Sequence, residues 1–334
     1  MKNFNLQLFA NELQTTLLDG LSAEMKTFYD MTLIDEASPA LVHEQFGQKR
    51  PIPKNGGKTI EFRKFSPLAK ATSPLTEGVT PDGKSLNVTT LTATVNQYGD
   101  YITQSDVLEL TSIDNTILEA TKLLGKQAGA TLDTVVRDIL VAGTNVSYAS
   151  KWAGDTETVV TSRKTLDATA TLKVDTIQQV VAKLRAQNAP TINGKYVAII
   201  HPYVAYDLMR DPEWIDAHKY AQPENLYAGE IGEIGGVRFV QTTEAKIWKD
   251  SSCPDGLAVF GCLFLGEGAY GVTEITGGGL QTIVKQKGSA GTADPLDQRS
   301  SVGWKAIKTA ERLVENYMVR VECCSKYSAD AAAN

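Results

Sequence analysis

Several groups of residues have a type and spacing that chemistry could use. Asn55-Gly56-Gly57-Lys58-Thr59 ends in the Gly-Lys-Thr of a phosphate-binding loop. The first glycine of that motif would have to stand where Ile52 does. The residues that follow alternate like a strand, so the helix amino terminus that binds phosphate is missing and the segment reads as a turn. Gly229, Gly232, Gly235 and Gly236 match a dinucleotide fingerprint only weakly, because no strand leads into them and no helix clearly follows; they too read as turn glycines. His43, His201 and His218 are far apart, and none is four residues from another, so hydrogen-bonded or exposed imidazoles are expected in place of ligands or bases. Gly288-Ser289-Ala290-Gly291 lacks the spacing of a nucleophile elbow. Asp211, Glu213 and Asp216 have the types for an acid/base pair, yet a solvated helix face accounts for them. Cys253, Cys262, Cys323 and Cys324 show no paired C-x-x-C spacing. Adjacent Cys323 and Cys324 on a strand point to opposite faces, which suits buried thiols in a reducing compartment. The expectation is a protein that is not an enzyme, with no catalytic, cofactor-binding or metal site.

Composition narrows the classes further. A chain of 334 residues with a 42% hydrophobic share can bury one large or two moderate cores, so global disorder is excluded. With 33 basic against 39 acidic residues the formal charge is -6, which repels a phosphate backbone on average; sequence-specific nucleic-acid binding is not expected. Asn3, Asn5, Gln7 and Asn11 interrupt any signal-peptide core, and no run is long and apolar enough to span a bilayer.

The elements that would position any site begin with one long helix, Thr111 to Gly143. Thr111, Ser112 and Asp114 are candidate caps, and Gly143 followed by Asn145 is a candidate left-handed stop. Ile117, Leu124, Ala128, Leu132, Val135 and Ile139 form its apolar stripe, with Asp133 and Arg137 as an ion pair on the wetter side. Glycines at 125 and 129 suggest close backbone approach. Before this helix, residues 1 to about 50 read as an arm with too little apolar surface for a core of its own. Alternation at Thr59–Arg63 and a threonine- and valine-rich return over Leu86–Thr103, with a parity shift near Thr90, predict a long hairpin. Its tip carries three prolines and the turn Pro81-Asp82-Gly83. A hairpin this polar is not stable alone in water, so it should lie on another surface. After the helix, residues 144–172 read as a loop-rich connection with one short hairpin. An α/β module follows, with a helix capped by Asp175 and Gln178, a buried strand Lys195–His201, a helix started by Pro202, and strands near Val237 and Leu257–Phe264. Strands at Leu280–Lys285, Val302–Ile307 and Tyr317–Cys323 should pack on the long helix, and the closing SADAAAN should fray.

This order resembles the Hong Kong 97 type capsid fold of tailed bacteriophages. Several strings are similar to the major capsid protein family typified by phage N-four: NLQLFA, ITQSDVLEL, LDTVVRDILVAG, KYVAIIHPYVAYDLMRDPEW, GEIGGVRFVQT and DPLDQRSSVGWKA. The resemblance implies an α+β fold with an N-terminal arm (1–50), an extended β-hairpin loop (51–103), a spine helix with the first part of a peripheral domain (104–172), an axial α/β domain (173–275), and peripheral strands with the tail (276–334). It implies a structural subunit of the virion that self-assembles through hexamers and pentamers into an icosahedral shell around double-stranded DNA. It further implies no cofactor, assembly in the host bacterial cytoplasm, a portal, a decoration protein in some shells, and a scaffold made as a separate protein. Some such shells crosslink a loop lysine to a neighbour's asparagine; Lys58, Lys64, Lys70 and Lys84 lie in this loop, where solubility also accounts for them. Two alternatives stand beside this reading. One is an encapsulin-like compartment of the same fold, and the other an α/β enzyme built on residues 173–275 with a dimerisation arm.

Overall fold

The structure is a computed structural model that describes residues 31–37, 41–65, 68–80, 83–112, 115–154, 156–221, 231–289 and 294–334. The first 30 residues of the expected arm, Asp114 and the Pro81-Asp82 part of the tip turn lie outside them. In chain order, β1 (Gln48–Lys49) precedes β2 (Thr59–Phe65), β3 (Val88–Thr94) and β4 (Asn96–Ser105). Helices α1 (Asp106–Thr111) and α2 (Thr116–Val141) lead to the short strands β5 (Val146–Tyr148), β6 (Lys151–Ala153) and β7 (Thr156–Thr158). Then come α3 (Val174–Ala186), β8 (Tyr196–Ile200), α4 (Pro202–Met209), α5 (Pro212–Ala221), β9 (Glu233–Ile234), β10 (Val237–Gln241), β11 (Ile247–Trp248) and β12 (Val259–Leu265). The series closes with β13 (Tyr270–Glu274), β14 (Gln281–Lys285), β15 (Arg299–Arg312) and β16 (Met318–Cys323).

The long helix differs from expectation at both ends. Thr111 ends α1, where its hydroxyl donates back to the Val107 carbonyl at 2.7 Å, and α2 starts afresh with Asn115 Oδ1 accepting from Leu118 N at 3.2 Å. A side-chain acceptor placed four residues after Thr111 therefore splits one pattern into two helices. At the other end Gly143 is not left-handed. The last carbonyls are taken by arginines instead: Arg320 donates to Val141 O and Gly143 O, and Arg312 donates to Ile139 O at 2.6 Å. The 26 residues of α2 reach about 39 Å at about 1.5 Å per residue. Its buried row is Ala120, Leu124, Ala128, Leu132, Val136 and Leu140, while Val135 and Ile139 are half-buried. The stripe is thus turned by one position. The turn brings Asp133 and Arg137 inside, so the expected wet ion pair does not exist in that form.

The described residues fall into two compact units. In the first, β15 is central, with β14 antiparallel on residues 301–305 and β4 also paired to it. Gly99 and Gly303 permit this: a Cβ at Gly99 would meet Trp304 O at 2.5 Å, and one at Gly303 would meet Asp100 O at 2.9 Å. A helical run over residues 31–37 packs at Gly125, where a Cβ would lie 2.8 Å from Leu33 O, so this glycine marks a close backbone approach as expected.

The second unit holds the larger sheet, ordered β5-β16-β12-β8-β10-β9 with β11 on β12. All five residues of β8 are buried. Ile177, Val180, Val181 and Leu184 of α3 pack into the same core as Phe260, Cys262 and Phe264 of β12. A second core joins Val136 and Leu140 of α2 to Leu263, Tyr270, Val272, Ala310 and Met318. The terminal strands therefore do not stay together, since β16 lies antiparallel to β12 and parallel to β5. The expected Asp175–Gln178 capping box is replaced by Asp211, whose Oδ2 accepts from Val174 N at 2.9 Å, while Asp175 accepts from Gln179. Pro202 does start α4, with His201 Nδ1 accepting from Tyr203 N. The stretch after Cys324 is not frayed: Ala258 N donates to Ala329 O at 2.7 Å, and Asn334 bonds Ala245 and Ile247.

Candidate assembly surfaces

The hairpin of β2 and β3 is in continuous antiparallel register from Thr59↔Thr94 to Phe65↔Val88. No bulge interrupts it at Thr90; Val88 lies in the same unbroken ladder as Leu91 and Ala93 but on the opposite face, where it is exposed while Ala93 is buried. At its root Phe62 and Ala93 are buried. The Phe62 ring covers Gly271, where a Cβ would meet it at 2.8 Å, and the Arg50 guanidinium lies 5.7 Å from the ring centroid. Beyond that root Phe65, Leu68, Leu75, Val79, Leu86 and Val88 are exposed, Leu75 at 76%. Two strands cannot bury these side chains against each other and are marginal alone in water.

The root is fastened by buried polar groups. His43 donates to Asp133 twice, from its backbone N to Oδ1 at 2.8 Å and from Nδ1 to Oδ2 at 2.6 Å, and the Tyr270 hydroxyl donates to His43 O. Burial pushes the Tyr270 hydroxyl pKa up. Glu44 pairs with Lys308, and burial pulls that lysine down to about 8 despite the adjacent carboxylate. β1 runs parallel to β13, and Arg50 N and Ile52 N continue the ladder onto Val272 O and Glu274 O. In the same unit Glu322, fully buried, accepts from Arg163 Nε at 2.7 Å and Nη2 at 2.6 Å; Arg320 Nε lies 2.9 Å from the same carboxylate. That hydrogen bonding holds the Arg163 guanidinium pKa above its usual range. The Trp248 ring receives both arginines, at 4.1 and 5.4 Å.

In the first unit a second apolar surface appears. Ser105 Oγ caps α1 by accepting from Leu108 N at 3.3 Å, and α1 buries no residue, leaving Val107, Leu108 and Leu110 exposed. Leu123 of α2 and Met31 and Ile34 of the 31–37 run are exposed as well. Helix α1 escaped the sequence reading because six residues with no buried face carry no periodicity; the Ser105-Asp106 start was its available signal.

Among the described residues, those weighed for chemistry do not converge. Asn55 and Gly57 adopt positive φ in a turn that feeds β2, and Gly235 and Gly236 form the two-residue turn between β9 and β10. Gly288 is also a positive-φ glycine, and Gly229 and the side chain of His218 lie outside the described residues. His43 serves Asp133, and His201 caps α4 with its pKa lowered by burial. Asp211 caps α3, and Glu213 and Asp216 are exposed. An open cleft of about 620 Å³ between Lys173, Tyr206, Asp207, Arg210 and Tyr327 thus has its carboxylates spent on backbone amides, Asp207 accepting from Lys326 N at 2.8 Å. The four cysteines are free and buried; the Cys262 sulfur 3.8 Å away and burial raise the Cys323 pKa, and burial pushes Cys324 up to about 12. Among the described residues no group of His, Cys, Asp and Glu is arranged to hold a metal, and no helix is long and apolar enough to cross a membrane.

The sequence profile of the phage capsid protein family matches residues 88–309, about two thirds of the chain. The chain belongs to this phage capsid protein family. It is a structural subunit of a virion shell, not an enzyme. No curated protein matches the chain. Among solved structures it is similar to the capsid of Ralstonia phage GP4, with 14% identity, TM-score 0.64, and 86% of this chain covering 89% of that one. The capsid of cyanophage P-SCSP1u gives 12% identity and TM-score 0.63 over 84% and 87%. The capsid asymmetric unit of cyanophage Pam1 gives 13% and 0.62 over 86% and 92%. The phage capsid fold, of mixed α+β class, therefore extends over most of the chain.

Proposed function

We propose that this capsid protein assembles through hexamers and pentamers into an icosahedral shell around the double-stranded DNA of a tailed bacteriophage, in the cytoplasm of its bacterial host. The observation that carries this reading is the hairpin loop, rooted by Phe62 yet leaving Phe65, Leu68, Leu75, Val79, Leu86 and Val88 without cover. An adjacent copy supplies that cover. In this reading residues 1–50 act as the arm, 51–103 as the extended loop across a neighbour, α2 as the spine, 173–275 as the axial domain and the remaining strands as the peripheral domain, with β16 contributed to the axial sheet. The formal charge of -6 suits a container that must not hold its genome tightly. A separate scaffolding protein and a portal complete the set of partners, with a decoration protein as a further candidate.

Negative-stain microscopy of the expressed chain, with and without a co-expressed scaffold, tests this. Closed shells are expected, and a chain lacking residues 68–80 should fold yet form none. Particles from infected cells carrying DNA and a portal support the phage reading, whereas particles loaded with a cargo enzyme would transfer it to a bacterial compartment. A small monodisperse oligomer that melts at higher temperature with a ligand would overturn it.

A further inference from the structure

Lys173 precedes α3, Arg210 follows α4 and Lys326 follows β16, and all three line the open cleft of about 620 Å³. Among the described residues none of these cations forms an ion pair. Lys173 Nζ stands over the Trp152 ring, 4.0 Å away. Arg210 donates from Nη1 to the Tyr206 hydroxyl at 2.7 Å, which leaves Nε and Nη2 for a ligand. Those are the two donors with which Arg163 holds the Glu322 carboxylate. The carboxylates lining the same cleft serve the backbone: Asp207 accepts from Lys326 N at 2.8 Å, and Asp211 from Val174 N at 2.9 Å and Glu213 N at 3.4 Å. Three cations against two carboxylates leave one positive charge in excess. The cleft is also aromatic. The Tyr206 and Tyr327 ring centroids lie 4.9 Å apart, yet the two residues are 38% and 59% exposed. Uncovered tyrosine rings beside an unpaired guanidinium have the composition of an interface anchor.

We infer that this cleft binds a segment of a second protein through one carboxylate, taken by Arg210 with Lys173 and Lys326 beside it, and through an adjacent aromatic or aliphatic side chain laid on Tyr206 and Tyr327. The single excess charge matches a single carboxylate, and a guanidinium with two donors open takes that group as a bidentate fork. A nucleic-acid strand brings a phosphate with every nucleotide, which Asp207, Asp211 and a formal chain charge of -6 all oppose. The volume is that of a small-ligand pocket, so only a few residues of the segment enter.

Fluorescence anisotropy with the unassembled full chain tests the inference, and its readout is independent of whether shells form. The probe is a labelled, end-blocked peptide containing Phe-Asp, compared with its Phe-Asn counterpart and with a thymidine oligonucleotide. Saturable binding of the Phe-Asp peptide is expected. Exchanging its Asp for Asn, or Arg210→Gln in the chain, should each weaken binding by about tenfold through loss of the charge-assisted fork. Arg210 is exposed, so its substitution leaves the fold intact, and Lys58→Gln, an exposed cation on the hairpin turn, should not change the affinity. Equal affinity for the two peptides, an Arg210→Gln chain that binds as the parent does, or no saturable binding up to about 1 mM would overturn the inference. Tighter binding of the oligonucleotide than of the peptide, lost in Arg210→Gln, would overturn it in favour of a phosphate site.

Discussion

Replacing Asp133 with alanine should cost the subunit about 4 kcal/mol, more than any substitution on the wet side of the same helix. The carboxylate is fully buried and receives two donors, the backbone N and Nδ1 of His43, at 2.8 and 2.6 Å. Leaving a buried donor unmade costs about 1–3 kcal/mol, so two give about 2–6, with a midpoint near 4. A loss near 4 kcal/mol is a large part of the 5–15 kcal/mol that holds a typical domain together. Urea unfolding of the unassembled chain, followed through tryptophan emission, measures it as a shift of midpoint at constant slope. Asp133→Asn retains one acceptor and should lose about half as much. A cycle with His43→Ala should give a coupling of about 1–2 kcal/mol, because the double variant no longer strands the imidazole donor, while the backbone N of residue 43 stays unmet whenever Asp133 is removed. Lys122→Ala, on the exposed face, should leave the midpoint where it was. If Asp133→Ala lowers stability by less than about 1 kcal/mol, the buried pair does not fasten the root of the loop to α2.

Glu322→Gln should lower stability by about 3 kcal/mol, since it strips the charge from a buried carboxylate facing two arginines; a midpoint equal to the parent's would remove that group from the core's account. Lys308 gives a pH dependence of definite sign. Its folded pKa of about 8 lies below the unfolded 10.5, so between those values the unfolded chain binds more protons and this group adds stability as pH rises, by up to about 3 kcal/mol. Subtracting the profile of Lys308→Met from that of the parent isolates this rise, and a flat difference from pH 7.5 to 10.5 would refute it. Leu132→Asp places an unpaired charge at a position 2% exposed and should yield insoluble chain; recovery of soluble, shell-forming protein would contradict the packing of α2.

What the sequence made legible were elements whose boundaries are written within a few residues. β8 was readable because Lys195–His201 is apolar between Asn193-Gly194 and Pro202, and the β9–β10 turn because Gly235 and Gly236 stand together. Several of the misread features have their cause far along the chain. Asp133 looked like half of an i,i+4 surface pair, and nothing near it announces that His43, 90 residues earlier, buries it. The cap of α3 comes from Asp211, 37 residues on, although a plausible local box was available. The carbonyl bonds of Arg320 to α2 span 177 residues or more. That the chain is not an enzyme was readable in the scatter of the residue types that chemistry needs to converge, and the family match agrees with it. The apolar faces of α1 and the hairpin were harder to weigh, because an exposed leucine acquires meaning only once no neighbour within the chain covers it.

The arginines that close the carboxyl end of α2 also bear on the order of synthesis. Ile139, Val141 and Gly143 hand their carbonyls to Arg312 and Arg320, and the strand carrying Arg320 completes the sheet beside β12. A ribosome has made every element from β1 to β14 before those donors emerge. A subunit truncated before Arg312 therefore carries an unfinished helix and an open sheet, and should be left out of a growing shell. Co-expressing a chain that stops at Glu311 with the full chain should leave the short form out of purified particles; its incorporation in proportion to its expression would show that late closure exercises no such proofreading.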